Sequence, residues 1–211
     1  MSSLFHVEEK RLREIGFIAR DESVETITEG PWTKDGMYYV SIVSVNLIGG
    51  ERKEFVLKAP WDVLSDTDPG MKTWGEGSRL ISQHVDRIVE WSRKIRQLGQ
   101  YCPRIEKYDD GTLIQENVIG RDLQLALNTL SPREGASYVA RCDEILREIE
   151  TKLGLKHVTR VYVDSANVQI GKDFILSSDG KVILVNLNFV PIERNTSLSS
   201  NGKCKGRSNH L

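Results

Sequence analysis

The sequence lacks a strong charge of either sign. Its 29 lysine and arginine residues nearly balance 30 aspartate and glutamate residues, which leaves a net charge of −1. Such a balance excludes a whole-protein field that would concentrate nucleic acid or an anionic membrane. Residues 1–20 carry charges throughout, and no run approaches the ~20 apolar residues of a membrane span. We therefore expect a soluble, cytoplasmic protein that binds neither nucleic acid nor membranes.

Cysteine is scarce as well. Cys102, Cys142 and Cys204 are odd in number and widely spaced, and none belongs to a Cys-x-x-Cys motif. This pattern indicates neither a disulfide framework nor a zinc site. A reducing, intracellular compartment fits it best.

What the sequence has is a series of strand and helix patterns. A β-branched run at 38–48, the Gly49-Gly50 pair and a strand at 54–58 predict an antiparallel hairpin. Apolar residues at helical spacing predict a long helix over 76–98. Ser131-Pro132-Arg133-Glu134 is a capping box with proline at the first helical position, and it predicts a second long helix that ends at Gly154.

Residues 160–190 look like strands, with a hairpin turn at 178–180. Residues beyond 191 have little to bury and are expected to form a flexible tail. The order of elements is therefore hairpin, long helix, two strands, helices and hairpin. This order predicts an α+β fold and not an alternating βαβ series.

Lys58 is the first residue that could carry chemistry. It ends the strand at 55–59, where a lysine that reaches a cleft can neutralise phosphate oxygens. An edge-strand lysine that discourages aggregation is an equally good interpretation.

Several short segments favour the first interpretation. Residues 98–105, 108–116, 119–123 and 174–186 resemble, in order and spacing, the aminoglycoside-phosphotransferase-like branch of the kinase superfamily. The resemblance implies a compact, two-lobed protein-kinase-like fold with a truncated C-terminal lobe. The corresponding division is an N-terminal helix or arm at 1–22, an N-lobe-like part at 23–118, a reduced C-lobe-like part at 119–190 and a tail at 191–211.

The resemblance also implies a nucleotide site for ATP. Lys58 matches the lysine that grips the phosphates, and Glu90 falls at the helix position of its ion-pair partner. Glu116, Asn117 and Val118 match the hinge, whose backbone would hydrogen-bond the adenine edge. At ~100° per residue, however, Glu90 lies opposite the apolar stripe of its helix, so a solvated surface glutamate is an alternative.

The catalytic loop departs from the family. In residues 155–190, which would hold this loop, no His-x-Asp string precedes an asparagine. In one register Asp164 is the catalytic base and Asn167 a metal ligand. In the other, Asp173 stands immediately before Phe174, where the family has its asparagine, and both registers stay open.

The metal position and the glycine loop are also altered. Asn186 stands where the family carries an aspartate that binds Mg²⁺, and an amide oxygen binds this ion less strongly than a carboxylate. Asn186 and Asn188 could equally be polar residues that end a strand. Residues 28–36 hold two glycines, but their spacing is not that of the family's phosphate loop. Backbone amides there could still bind a phosphate, although a plain β-turn is the better interpretation.

Three functions remain open on these observations. The first is an ATP-dependent phosphotransferase that acts on a hydroxyl group of a protein or small molecule. The second is a catalytically dead, pseudokinase-like binding or assembly subunit with a protein partner, which the missing His-x-Asp and Asn186 favour. The third is an ordinary α+β protein, since a fold does not prove an activity.

Overall fold

The computed structural model describes residues 7–35, 38–60, 74–109, 111–157, 162–164, 167–169 and 173–192. Its elements are, in chain order, α1 (Glu9–Glu14), β1 (Val24–Glu29), β2 (Thr33–Asp35), β3 (Tyr38–Leu47), β4 (Arg52–Pro60), α2 (Trp74–Leu98), β5 (Ile105–Lys107), β6 (Leu113–Glu116), β7 (Gly120–Asp122), α3 (Leu123–Leu127), α4 (Pro132–Leu153), β8 (Leu155–His157), β9 (Tyr162–Asp164), β10 (Asn167–Gln169), β11 (Phe174–Ser177), β12 (Val182–Leu184) and β13 (Phe189–Pro191). The strand pairs are antiparallel. Helices mixed with antiparallel strands confirm the predicted α+β class.

The largest sheet has the strand order β1-β3-β4-β6-β5, and β2 also pairs with β3. Gly49 and Gly50 join β3 to β4 at φ angles of 111° and 88°, in the left-handed region that glycine adopts without a steric cost. The predicted hairpin is therefore present. Gly30 does not lie at a hairpin turn, because its N–H donates to the Ile42 carbonyl in the gap between β1 and β2. Gly36 lies outside the described residues.

The two faces of this sheet bury different cores. One face carries Val43, Phe55 and Leu57 and packs against the N-terminal residues Leu12 and Phe17. We call this cluster the arm-side core. Because successive strand residues point to opposite faces, the residues between them face the other way. There the sheet and α2 enclose a second cluster, which includes Ile88 of α2, Ile105 and Leu113. We call it the cleft-side core.

The helix α4 closes the cleft-side core. Its capping box forms as predicted, and Gly154 ends it at a φ of 65°. The buried face includes Val139, Ile145 and Ile149, as predicted, together with Cys142.

The predicted strand at 182–187 is shorter in the structure. β12 ends at Leu184. The Val185 N–H still donates to the Asp173 carbonyl at 2.7 Å, which extends the β11–β12 register by one bond, and the Asn186 N–H approaches the same carbonyl at 3.5 Å. Beyond this point Val185 and Asn186 contact Lys58 of the large sheet. The predicted tail beyond 192 lies outside the described residues.

Candidate functional site

Lys58 reaches from the sheet to the 185–188 segment. Its neighbours Leu57 and Ala59 are fully buried, and strand alternation sends Lys58 to the cleft side. The Lys58 Nζ donates to Asn186 Oδ1 at 2.8 Å and to the Val185 carbonyl at 3.1 Å. The structure thus brings together the residues that sequence analysis assigned to phosphate and to metal.

A small pocket surrounds this contact. It is lined by residues from the sheet, from α2 and from the segment after β12, namely Tyr38, Lys58, Ile88, Ile105, Leu113, Gln115, Val185, Asn186, Leu187 and Asn188. Its enclosed part has room for about one water molecule. A larger ligand must therefore approach from the open side.

Asp173 lies behind Asn186 and is only 6% exposed. Asn188 Nδ2 donates to Asp173 Oδ1 at 3.3 Å, and His157 Nε2 lies 3.9 Å from Asp173 Oδ2. The rings of Phe174 and Phe189 pack beside His157 and exclude water from it. This arrangement gives the site one buried carboxylate, held by an amide and next to an imidazole.

Asp164 and Asn167 are partners in the β9–β10 ladder, at the end next to the two residues that connect the strands. Their side chains lie outside the described residues. Of the two candidate aspartates, Asp173 is the one that lies beside Asn186. The role assigned to Asp164 and Asn167 stays a prediction.

Glu90 does not meet Lys58. It lies on the exposed side of α2 and forms an i,i+4 ion pair with Lys94, with 58% of its side chain exposed. The residue of α2 that lines the pocket is Ile88. Two residues further on, Glu90 is turned by ~200° around the helix axis, away from the sheet. The expected Lys58–Glu90 pair is wrong, and the alternative of a surface glutamate is correct.

The hinge begins at Glu116, the last residue of β6, one position after the pocket residue Gln115. The N–H groups of Glu116 and Asn117 donate to the carbonyls of Arg104 and Glu54. The Glu116 carboxylate accepts from the Arg104 N–H at 2.9 Å, so it faces away from the cleft. Within the described residues, the backbone of Val118 makes no hydrogen bond. Val118 is thus the hinge residue with backbone groups available to a ligand.

Sequence analysis missed a contact between Tyr38 and His84. The Tyr38 hydroxyl lies 2.7 Å from His84 Nε2, and the two rings stack at a centroid distance of 6.3 Å. Burial raises the pKa of Tyr38 to about 12, so the phenol stays protonated. Burial, followed by the charge of Arg87, lowers the pKa of His84. This bond ties β3 to α2, where a Lys58–Glu90 pair was expected.

No signal in the sequence alone marks Tyr38 or His84 as partners. A weak signal does mark Gln115, a polar residue in the apolar strand Leu113-Ile114-Gln115 directly before the hinge.

In the described part of the chain, no group of three or more His, Cys, Asp or Glu residues could hold a metal ion. Nor does any described helix combine the length and the hydrophobicity needed to cross a membrane.

No protein-family profile and no curated protein matches the sequence. Among solved structures, Rv3197 from Mycobacterium tuberculosis, in complex with erythromycin, aligns with 81% of this chain and 47% of its own length, at 16% identity and a TM-score of 0.47. WbdD, crystallised with the kinase inhibitor LY294002, aligns with 79% of this chain and 34% of its own, at 17% identity and a TM-score of 0.39. The chain spans less than half of either structure. Both are compatible with the kinase-like resemblance, but at these TM-scores neither establishes the fold.

Proposed function

We propose that this chain is a kinase-like protein that binds ATP between the large sheet and the 185–188 segment and transfers its terminal phosphoryl group to a hydroxyl acceptor. The observation that carries the proposal is the Lys58–Asn186 contact. Lys58 lies on a strand of the sheet, and Asn186 lies in the segment that faces the sheet. The two side chains are 128 positions apart in the sequence and meet at 2.8 Å. A lysine so placed is suited to neutralise phosphate oxygens.

The same face of the sheet supports a base-binding region next to Lys58. The pairs Ile42–Val56 and Val40–Lys58 stand side by side in the β3–β4 ladder. Ile42 is 47% exposed although it is large and apolar. An apolar surface beside a cation suits a nucleotide, which has an apolar ring at one end and charged phosphates at the other. The available N–H and C=O groups of Val118 would hydrogen-bond the edge of the base.

The oxygen ligands near Lys58 fit Mg²⁺, although weakly. Asp173 supplies one carboxylate, and Asn186 and Asn188 supply amide oxygens. Magnesium is usually held by one or two carboxylates, with water and phosphate as its other ligands. Bound there, Mg²⁺ would neutralise charge on the phosphates. Asp173 is better suited to this role than to that of a general base, because its carboxylate is buried and already accepts from Asn188.

Two observations favour a second candidate, a pseudokinase-like binding subunit. The carboxylate expected at position 186 is a neutral amide, and Glu90 does not contact Lys58. Both changes weaken catalysis more than they weaken nucleotide binding. This candidate would bind ATP, or a protein partner, without turnover.

The test is thermal stability with and without Mg²⁺ and ATP, followed by a turnover assay. A ligand at 100 times its Kd adds ~2.7 kcal/mol to the free energy of unfolding. Lys58→Met should abolish the shift, and Lys94→Met, at an exposed lysine of α2, should retain it. A shift without turnover would favour the binding subunit. No shift at millimolar ATP would overturn both candidates as nucleotide-binding proteins.

A further inference from the structure

Gln115 is a buried amide that faces the candidate nucleotide pocket. Only 4% of the residue is exposed, and it lines the pocket together with Lys58. The β4–β6 register pairs Lys58 with Leu113 and Val56 with Gln115, so all four side chains share the cleft side of the sheet. Within the described residues, no hydrogen bond to the Gln115 side chain is present, and its amide atoms are not fully enclosed but open to the pocket.

A buried amide in apolar surroundings is destabilising unless a partner satisfies it. The cross-strand neighbours of Gln115, Val56 and Ile105, are apolar. The polar groups of the pocket come from Tyr38, Lys58 and the asparagines at 186 and 188. One water molecule could satisfy part of the amide, but a ligand that brings both a donor and an acceptor would satisfy it fully. The position of Gln115 therefore favours a ligand whose edge carries these two groups side by side.

We propose that Gln115 selects adenine over guanine, and this proposal rests on the nucleotide binding proposed above. Its Nε2–H donates to purine N7, and its Oε1 accepts from the N6 amino group. Adenine presents this acceptor and donor on adjacent atoms, and glutamine can bind both at once. Guanine presents two acceptors, N7 and O6, on the same edge. The Gln115 oxygen would then face the guanine O6 without a proton between them.

The position of Gln115 in its strand agrees with this role. Gln115 comes three residues before Val118, and at ~3.3 Å per residue the two lie within about 10 Å of each other. A purine that bonds Val118 with one edge can therefore reach Gln115 with the adjacent edge. Lys58 lies diagonally across the ladder from Gln115, on the side to which the phosphates would extend.

The experiment measures Kd by calorimetry for ATP, 7-deaza-ATP and GTP, each with Mg²⁺. In the wild-type protein, ATP should bind about tenfold more tightly than 7-deaza-ATP, which lacks the N7 acceptor, and at least as much more tightly than GTP. In Gln115→Met the ratio for 7-deaza-ATP should fall close to one, whereas the ratio for GTP should fall but keep the part that Val118 contributes at the other edge of the base. Gln97→Met, at an exposed glutamine of α2, should retain the wild-type ratios.

Equal affinities of the wild-type protein for the three nucleotides would overturn the role of Gln115 while leaving nucleotide binding intact. That result is also expected if the amide holds only a water molecule. A preference for ATP over 7-deaza-ATP that survives in Gln115→Met would overturn the role as well. If Gln115→Met does not fold, the comparison of ATP with 7-deaza-ATP in the wild-type protein still decides whether purine N7 is bound. Failure of the wild-type protein to bind ATP would overturn both proposals.

Discussion

Lys58 and Asn186 form a hydrogen bond of 2.8 Å, in which the ammonium donates and the amide oxygen accepts. Replacing Asn186 with aspartate would put a carboxylate at this contact. Carboxylates bind Mg²⁺ more strongly than amides do. We expect Asn186→Asp to increase the effect of Mg²⁺ on ATP affinity by about tenfold, or ~1.4 kcal/mol.

The measurement is the Kd of ATP at several Mg²⁺ concentrations. Asn128→Asp, at the exposed end of α3, adds the same charge outside the pocket and serves as the control. An equal response of both variants would show that the effect is one of net charge and not of the site.

The bond between Tyr38 and His84 predicts a dependence of stability on pH. Since burial lowers the pKa of His84 in the folded protein, the unfolded chain takes up a proton first as the pH falls. The contribution of His84 to the free energy of unfolding should be fully present above pH ~6.5, the ordinary pKa of histidine. It should decrease as the pH falls from there to the lower pKa of the folded state. His84→Gln keeps a polar partner for Tyr38 but cannot titrate. Its free energy of unfolding should therefore change less between pH 7 and pH 5 than that of the wild-type protein.

The check is the free energy of unfolding by denaturant at each pH. Tyr38→Phe keeps the histidine and removes the bond, and it should cost about 1 kcal/mol at pH 7.5. Identical pH profiles of the wild-type protein and His84→Gln would contradict this assignment.

Gly120 is required by close backbone packing. A Cβ atom at this position would lie 2.4 Å from the Leu176 carbonyl oxygen and 2.8 Å from the Cα of Ser177. Neither atom belongs to a flexible side chain, so the β7–β11 pair would have to separate. We expect Gly120→Ala to destabilise the protein by about 1–3 kcal/mol.

Arg121 is exposed in the same strand, and Arg121→Ala should change stability by less than ~0.5 kcal/mol. Chemical denaturation of both variants gives the comparison. A Gly120→Ala variant as stable as the wild-type protein would mean that β7 and β11 are further apart than described.

The capping box of α4 predicts opposite effects for one substitution at two serines. The Ser131 hydroxyl accepts from the Glu134 N–H at 3.4 Å, and the Ser131 N–H donates to the Glu134 carboxylate at 3.0 Å. Ser131→Ala should cost about 1 kcal/mol. Ser137 lies exposed within the same helix, where alanine is the better helix former, so Ser137→Ala should be neutral or slightly stabilising. Thermal unfolding of the two variants checks the sign of each effect.

Local signals allowed the hairpin at Gly49-Gly50 and the caps of α4 to be predicted from the sequence, because turns and caps depend on residues a few positions apart. Contacts between distant segments could not be predicted in this way. The Tyr38–His84 and Lys58–Asn186 contacts join residues 46 and 128 positions apart, and they depend on the strand order and on how α2 packs. The assignment of Glu90 rested on its matching position in the family. The helical period of α2 already placed Glu90 opposite the apolar stripe of the helix, which indicates an exposed side chain.

The alternation of β4 has a consequence for how this chain can change. Phe55 and Leu57 face the arm-side core, while Lys58 faces the cleft. Deleting or inserting one residue just before Lys58 would exchange these two sets, burying an ammonium group among apolar side chains and presenting an apolar side chain to the ligand. The number of residues between Gly50 and Lys58 can therefore change only in steps of two.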